Sequence, residues 1–157
     1  MRLKHVLVVC LLMVAAFSSC KTDKGISAEE QLAADEIRIK EFIAKNNIPA
    51  LRHQSGVYYQ IIEPGVGNLV YTTNTSIKAK YTLRLLNGNT IPQPTEPIDF
   101  ILGGVIDGWQ IGIPLIQKGG KIRLIVPSIY AYGRQGQNGI PSNSTLDFDI
   151  ELVNAQN

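Results

Sequence analysis

The residues with most chemical potential lie between Pro97 and Gly133. An alternating apolar segment there leads into Gly103-Gly104-Val105-Ile106-Asp107-Gly108-Trp109, and the stretch closes in Pro127-Ser128-Ile129-Tyr130-Ala131-Tyr132-Gly133. The only tryptophan and several tyrosines are thereby gathered around one apolar hollow. Such a hollow, with few polar groups and no ionisable pair, points away from hydrolysis and towards binding, or towards a reaction that needs no proton donor. Other chemistries have little material. His5 lies in the apolar head and His53 is the one other histidine, too few for a zinc cluster or a Ser-His-Asp nucleophile. No Gly-Lys-Ser/Thr follows Gly103-Gly104, so this is not a phosphate loop. No metal and no organic cofactor is implied.

The head of the chain bears on where that hollow works. Arg2, Lys4 and His5 precede an apolar run from Val6 to Phe17 that is short for a bilayer span and too apolar for a tail in water. It reads as a signal peptide over 1–19. Ser18 and Ser19 stand directly before Cys20, the position that a lipoprotein signal peptidase would expose for acylation; Phe17 departs from the commoner pattern, and the alternative is an ordinary secretory signal cleaved nearby. Cys10 falls inside the discarded run, which leaves no cysteine for an internal disulfide. An exposed Cys20 thiol in an oxidising compartment would be a liability that lipidation removes. Without Arg2 and Lys4 the basic residues number 13, equal to the 13 acidic ones. That balance carries no electrostatic footprint for nucleic acid.

The rest of the chain has the size of one domain with a short appendage. Lys21 to Ile26 is small and polar, as suits a tether. Ser27-Ala28-Glu29-Glu30 has capping-box spacing and predicts a helix that ends at Asn46-Asn47, ahead of Pro49. Leu32, Ile39 and Ile43 mark its packed face, with Ala28 and Glu36 in register, and Glu29, Asp35, Arg38, Lys40 and Lys45 are left for solvent. That helix reads as a spacer or clamp, with dimerisation a lesser reading. Beyond Pro49 the period becomes alternating. Strands are predicted at Val57 to Ile62, Ser76 to Leu86, Ile98 to Leu102, Lys121 to Pro127 and Thr145 to Val153, with a hairpin at Asn87-Gly88 and a short helix from about Asp107 to Leu115 that Pro114 limits. The sum is an α+β arrangement, an antiparallel and strongly bent sheet wrapped around one short helix. The division is signal 1–19, lipidated N-terminus with tether and helix 20–50, and folded domain 51–157.

Several motifs in order carry a resemblance. Ser55-Gly56-Val57-Tyr58-Tyr59 with Pro64-Gly65-Val66-Gly67, Tyr81-Thr82 ahead of Asn87-Gly88, and Glu96 to Gly103 leading into Val105-Ile106 and Gly108-Trp109 are followed by Ala131-Tyr132-Gly133, Gly139-Ile140-Pro141, Thr145-Leu146, Phe148 and Glu151-Leu152. From about Ser55 to Leu152 the chain resembles the FKBP-type, macrolide-binding peptidyl-prolyl cis-trans isomerases in their bacterial form. The resemblance implies a pocket lined by Tyr81, Ile91, Ile98, Val105, Ile106, Trp109, Tyr132, Ile140 and Phe148, with Trp109 as its floor and Phe100 one position off the wall. It implies that Tyr132 donates a hydrogen bond to the substrate carbonyl, that Tyr81 stands beside it in the catalytic set, and that the backbone at Ile106 holds the peptide. Arg134 to Gly139 is either a loop at the pocket rim or a plain surface hairpin.

The reaction such a pocket would run is rotation about an X-Pro bond, against a barrier of roughly 18–20 kcal/mol. A twisted amide is less polarised than a planar one and loses less on leaving water, so an apolar site with one hydroxyl donor binds it preferentially. One departure weakens the match. The family places Phe-Asp after its hairpin, whereas this chain has Ile91-Pro92; Pro92 has no carboxylate to polarise the site or to hold a nearby tyrosine hydroxyl. The loop Gln93 to Glu96 is also short, and Asp99 alternates outward. The expectation is therefore a prolyl isomerase of reduced turnover that assists folding of exported proteins. A non-catalytic peptide-binding chaperone, or an interaction lipoprotein on the same fold, is the alternative. Its partners would be proline-containing segments of those proteins, the membrane through a lipid on Cys20, and possible macrolide inhibitors, in the bacterial cell envelope.

Overall fold

A computed structural model describes residues 25–157; the signal segment, Cys20 and the first part of the tether lie outside them. The first element, α1 (Ala28–Asn46), begins as its sequence dictates: the Ser27 hydroxyl accepts from the Glu30 backbone N–H and the Glu30 carboxylate accepts from the Ser27 N–H. Asn47 ends it in the left-handed conformation, which an asparagine tolerates at a helix C-terminus. No helix among the described residues is long and apolar enough to cross a membrane.

The strands that follow are β1 (Leu51–Arg52), β2 (Tyr58–Glu63), β3 (Ser76–Leu85), β4 (Thr90–Ile91), β5 (Ile98–Ile101), β6 (Lys121–Val126) and β7 (Leu146–Gln156), with α2 (Asp107–Gly112) between β5 and β6. All pairings are antiparallel, in the order β1-β2-β6-β7-β3-β4, and β5 pairs with the first part of β3 on the same edge that β4 takes at its end. The last strand therefore occupies the middle of the sheet. At its end the Asn157 amide donates to the Val70 carbonyl and its oxygen accepts from the buried Thr75 hydroxyl. Pro114 acts as foreseen, since α2 tightens after Gly112 into a 3₁₀ turn over Ile113–Leu115.

Two apolar clusters hold the sheet from its two faces. The larger, on the concave side, joins Ile77, Ala79, Leu83, Trp109, Leu124, Phe148 and their neighbours around α2. The helix lies close against β6 because Gly108 and Gly112 face it: a Cβ at Gly108 would overlap the Val126 side chain, and one at Gly112 would stand 2.5 Å from Leu124 Cδ1. The smaller cluster seats α1 on the outer face, with Ile39 against Ile48, Tyr58 and Ile125 and with Phe42 and Ile43 beside them. Here the helix departs from expectation. Asp35, assigned by periodicity to solvent, is 0% exposed, because its carboxylate is hydrogen-bonded to Ser128 in the loop after β6.

A second polar tie joins α1 to β1 and β2. The Glu36 carboxylate accepts from Arg52 Nε and Nη2, each at 3.1 Å, and from the Tyr58 hydroxyl at 3.2 Å, and lies 2.9 Å from Lys40 Nζ. The Arg52 hydrogen bonds, with help from Lys40, pull its carboxyl from the ordinary 4.5 down to about 2. A carboxyl with a depressed folded-state value stabilises the fold above its unfolded value and stops doing so as it protonates. Thermal unfolding of wild type and Glu36→Gln should therefore differ most at neutral pH. The difference should shrink as pH falls from 4.5 towards 2; a gap that stays constant over that window would show that the pair adds no charge-dependent stability.

Candidate functional site

The concave face of the sheet opens into a cavity of about 480 Å³ between α2, the loop after β4 and the loops that follow β6. Trp109, on the inward side of α2, is 3% exposed and forms its floor. Three rings pack on the indole: Tyr81 edge-on at 4.8 Å between centroids, and Phe100 and Phe148 at 5.6 Å each. Steep edge-to-face angles of this kind are the favoured aromatic geometry. The indole Nε1 is buried and has no hydrogen-bond partner among the described residues.

Of the residues singled out in the sequence, Tyr81, Ile91, Val105, Ile106, Trp109, Tyr132, Ile140 and Phe148 all line the cavity. Ile98 does not, and Phe100 does. Both face the same side of β5, but Phe100 is the one in contact distance of Tyr81 and Trp109, at 6.3 and 5.6 Å between centroids. Ile98 pairs with Ala79, two residues from the Ile77 partner of Phe100. Gln137 and Asn138 also line the cavity, so the Arg134 to Gly139 segment is a rim loop. It turns back at Gly139, whose φ is +78°, and paired backbone bonds between Gln137 and Ile140 set Ile140 into the wall.

The polar equipment is sparse. The Tyr132 hydroxyl makes no hydrogen bond among the described residues, and the Ile106 backbone N–H, just ahead of α2, is likewise unused. Burial raises the Tyr132 hydroxyl above the ordinary tyrosine value; burial, and then the neighbouring Tyr132, does the same for Tyr81. Both therefore remain protonated donors at neutral pH. Asp99 points outward, 69% exposed and 3.4 Å from Lys78 Nζ, and no carboxylate lines the cavity.

Sequence reasoning missed Gln93. Pro92 lies at the cavity edge and holds nothing, but the next residue takes over: the Tyr81 hydroxyl donates to Gln93 Oε1 at 2.7 Å. Pro92 thus holds no tyrosine hydroxyl, as its lack of a carboxylate implies, and Gln93 holds that of Tyr81 instead. The only sequence signal was a polar, amide-bearing residue in a short loop two positions after a pocket residue. Among the described residues no group of three or more His, Cys, Asp or Glu side chains could hold a metal ion. The arrangement can therefore bind an apolar ring on Trp109 and offer one hydroxyl and one backbone N–H to a carbonyl.

Residues 70–153 match the pattern of the FKBP-type peptidyl-prolyl cis-trans isomerase family. The chain is 36% identical over 141 residues to the FKBP-type peptidyl-prolyl cis-trans isomerase FkpA of Escherichia coli strain K12, across 87% of this chain and 52% of that one. The crystal structure of FkpA from Escherichia coli superposes with a TM-score of 0.70, covering 82% of this chain and 62% of that one. A crystal structure of a peptidyl-prolyl cis-trans isomerase from Pseudomonas syringae pv. tomato also gives 0.70, at 29% identity, over 85% of this chain and 98% of that one. The chain spans about half the length of the curated relatives it matches.

Proposed function

Because the chain belongs to the FKBP-type peptidyl-prolyl cis-trans isomerase family, we propose that it accelerates cis-trans isomerisation of X-Pro bonds in proline-containing segments of exported proteins. The observation that carries this reading is the pairing of a proline-sized apolar floor with an unoccupied donor, Trp109 with the Tyr132 hydroxyl, in one cavity. The proline ring rests on the indole. The N–H of Ile106 holds one carbonyl of the peptide in place, and the Tyr132 hydroxyl meets the oxygen of the rotating amide. As the amide twists, its nitrogen lone pair leaves conjugation and the carbonyl becomes less polar. The apolar walls then favour the twisted form over the planar one. No bond is made or broken and no proton moves, so the raised tyrosines serve as neutral donors throughout.

Pro92 in place of the family's aspartate supports reduced turnover, and Gln93 keeps Tyr81 fixed without supplying a charge. The cavity's lack of any carboxylate is the observation that favours a second reading, a peptide-binding chaperone on the same site. Short apolar head, small residues and Cys20 support a lipid-anchored protein of the bacterial cell envelope, with 1–19 removed as signal, 20–50 as anchor, tether and helix, and 51–157 as the folded domain. Macrolide inhibitors, which the family resemblance implies, would fill the same hollow.

The experiment is a prolyl-isomerisation assay on the full chain with a tetrapeptide substrate and a slow-refolding protein in parallel. Wild type should accelerate both. Tyr132→Phe should lose roughly tenfold in kcat/KM, the size of one hydrogen bond made in the transition state, and Pro92→Asp should gain. Peptide binding without acceleration by wild type would select the chaperone reading instead.

A further inference from the structure

Helix α1 lines no part of the cavity, yet it grips the segment that carries Tyr132 at both ends. The fully buried Asp35 accepts from the Ser128 backbone N–H at 2.7 Å and from the Ser128 hydroxyl at 2.6 Å, both through Oδ2. Its other oxygen accepts from Gln31 Nε2 at 2.8 Å and lies 3.4 Å from Arg38 Nη1. The Ser128 carbonyl in turn accepts from the N–H groups of Ala131 and Gly133, the two neighbours of Tyr132, at 3.0 and 2.9 Å. The Gly133 carbonyl accepts from the Asn143 N–H at 2.7 Å, and the Asn143 carbonyl accepts from Arg38 Nη1 at 3.2 Å.

The path closes on itself, from Asp35 through Ser128, Gly133, Asn143 and Arg38 back to Asp35. Tyr132 is borne between Ser128 and Gly133. Its own hydroxyl has no protein partner among the described residues, so its place in the cavity is set by its backbone and that backbone by this ring. A carboxylate is expensive to bury, and a helix that needed only to cover the sheet would carry an apolar residue there. We propose that Asp35, assisted by Arg38, is a positioning residue for Tyr132, which makes α1 part of the site's working machinery. The proposal rests on the isomerase reading for its kinetic consequence, while its structural content stands apart from it.

The test measures kcat, KM and backbone amide exchange on the full chain for Asp35→Ala and Asp35→Asn, each in wild-type and Tyr132→Phe backgrounds. Asp35→Ala should lower kcat about tenfold, as expected for losing a hydrogen bond to a charged group, with KM little changed. Asp35→Asn keeps an acceptor for Ser128 and should lose less. In the Tyr132→Phe background Asp35→Ala should cost less than twofold more, since two residues acting through one group are not additive. Exchange at Ala131 and Gly133 should quicken while β6 and β7 keep their protection. A full additional loss in the Tyr132→Phe background, or exchange that quickens evenly over the sheet, would overturn the proposal and leave Asp35 a stabiliser only. Should Asp35→Ala not fold, Arg38→Ala, at a side chain 48% exposed, should show the same pattern at about threefold. If wild type itself gives no turnover, the isomerase reading falls, and local against even exchange alone decides the role of Asp35.

Discussion

Trp109→Ala is expected to weaken peptide binding by about thirtyfold or more and to destabilise the fold by about 3–5 kcal/mol, the usual range for deleting a large buried aromatic. Both effects come from one position. The indole is 3% exposed, and Tyr81, Phe100 and Phe148 are packed around it by their edges or faces; without it these rings lose their common partner and the cavity loses its floor. A central aromatic anchor of this kind typically carries ~2 kcal/mol or more of binding free energy, about thirtyfold in Kd. Urea unfolding and titration with a proline peptide would read the two separately. Trp109→Phe supplies the control, because a smaller ring at the same place should restore much of the stability and only part of the binding. Binding that persists undiminished in Trp109→Ala, measured where the variant remains folded, would show that the indole is core alone and that the ring of the ligand rests elsewhere.

Asp147→Ala is expected to cost about 3–5 kcal/mol of stability, as removal of one member from a buried charge cluster generally does, without touching the cavity. Asp147 on β7 is 1% exposed and accepts from Arg84 Nε at 3.0 Å and from Arg123 Nε and Nη2 at 2.8 and 2.9 Å. The two guanidinium groups, about one quarter exposed, share this carboxylate between β3, β6 and β7. Arg123 also stands 5.9 Å over the ring of Phe42, so the cluster extends to α1. Removing the carboxylate leaves Arg123 without an acceptor among the described residues, whereas Arg84 keeps Asp149 and Thr82. Asp147→Asn should be nearly as damaging, which separates loss of charge from loss of volume. The triple replacement of Asp147, Arg84 and Arg123 by apolar residues of similar size should be milder than the single change. A single-site loss of less than ~1 kcal/mol in urea unfolding would mean that the cluster is screened by water.

Local chemistry explains which elements could be read ahead of the structure. The Ser27–Glu30 capping box, the alternation from Ile77 to Leu85 and the aromatic motif around Trp109 each report on contacts made within a few residues or by one face of one element. Bent antiparallel sheet and short inner helix followed from them. What escaped depends on distant partners. Asp35 looks like solvent-facing polarity on a helical wheel, and the reason for its burial is Ser128, 93 residues later. Gln93 sits in a loop with no period to read, and its role follows from where β3 places the Tyr81 hydroxyl. Ile98 and Phe100 share one face of β5, and alternation alone does not reveal that the phenylalanine is the one that packs on the indole. Two-residue strands such as β1 and β4 are likewise made by their neighbours rather than by their own sequence.

The position of β7 has a consequence for how this chain comes into being. Its eleven residues, C-terminal to every other strand described, bridge β6 and β3 along most of their length. Until they arrive, a growing chain holds β1, β2 and β6 on one side and β3, β4 and β5 on the other, each group ending in an open edge. Most of the sheet's long-range pairing is thus deferred until β7 has been made. A sheet built in this order is closed by its last strand, which joins two halves that otherwise share no pairing.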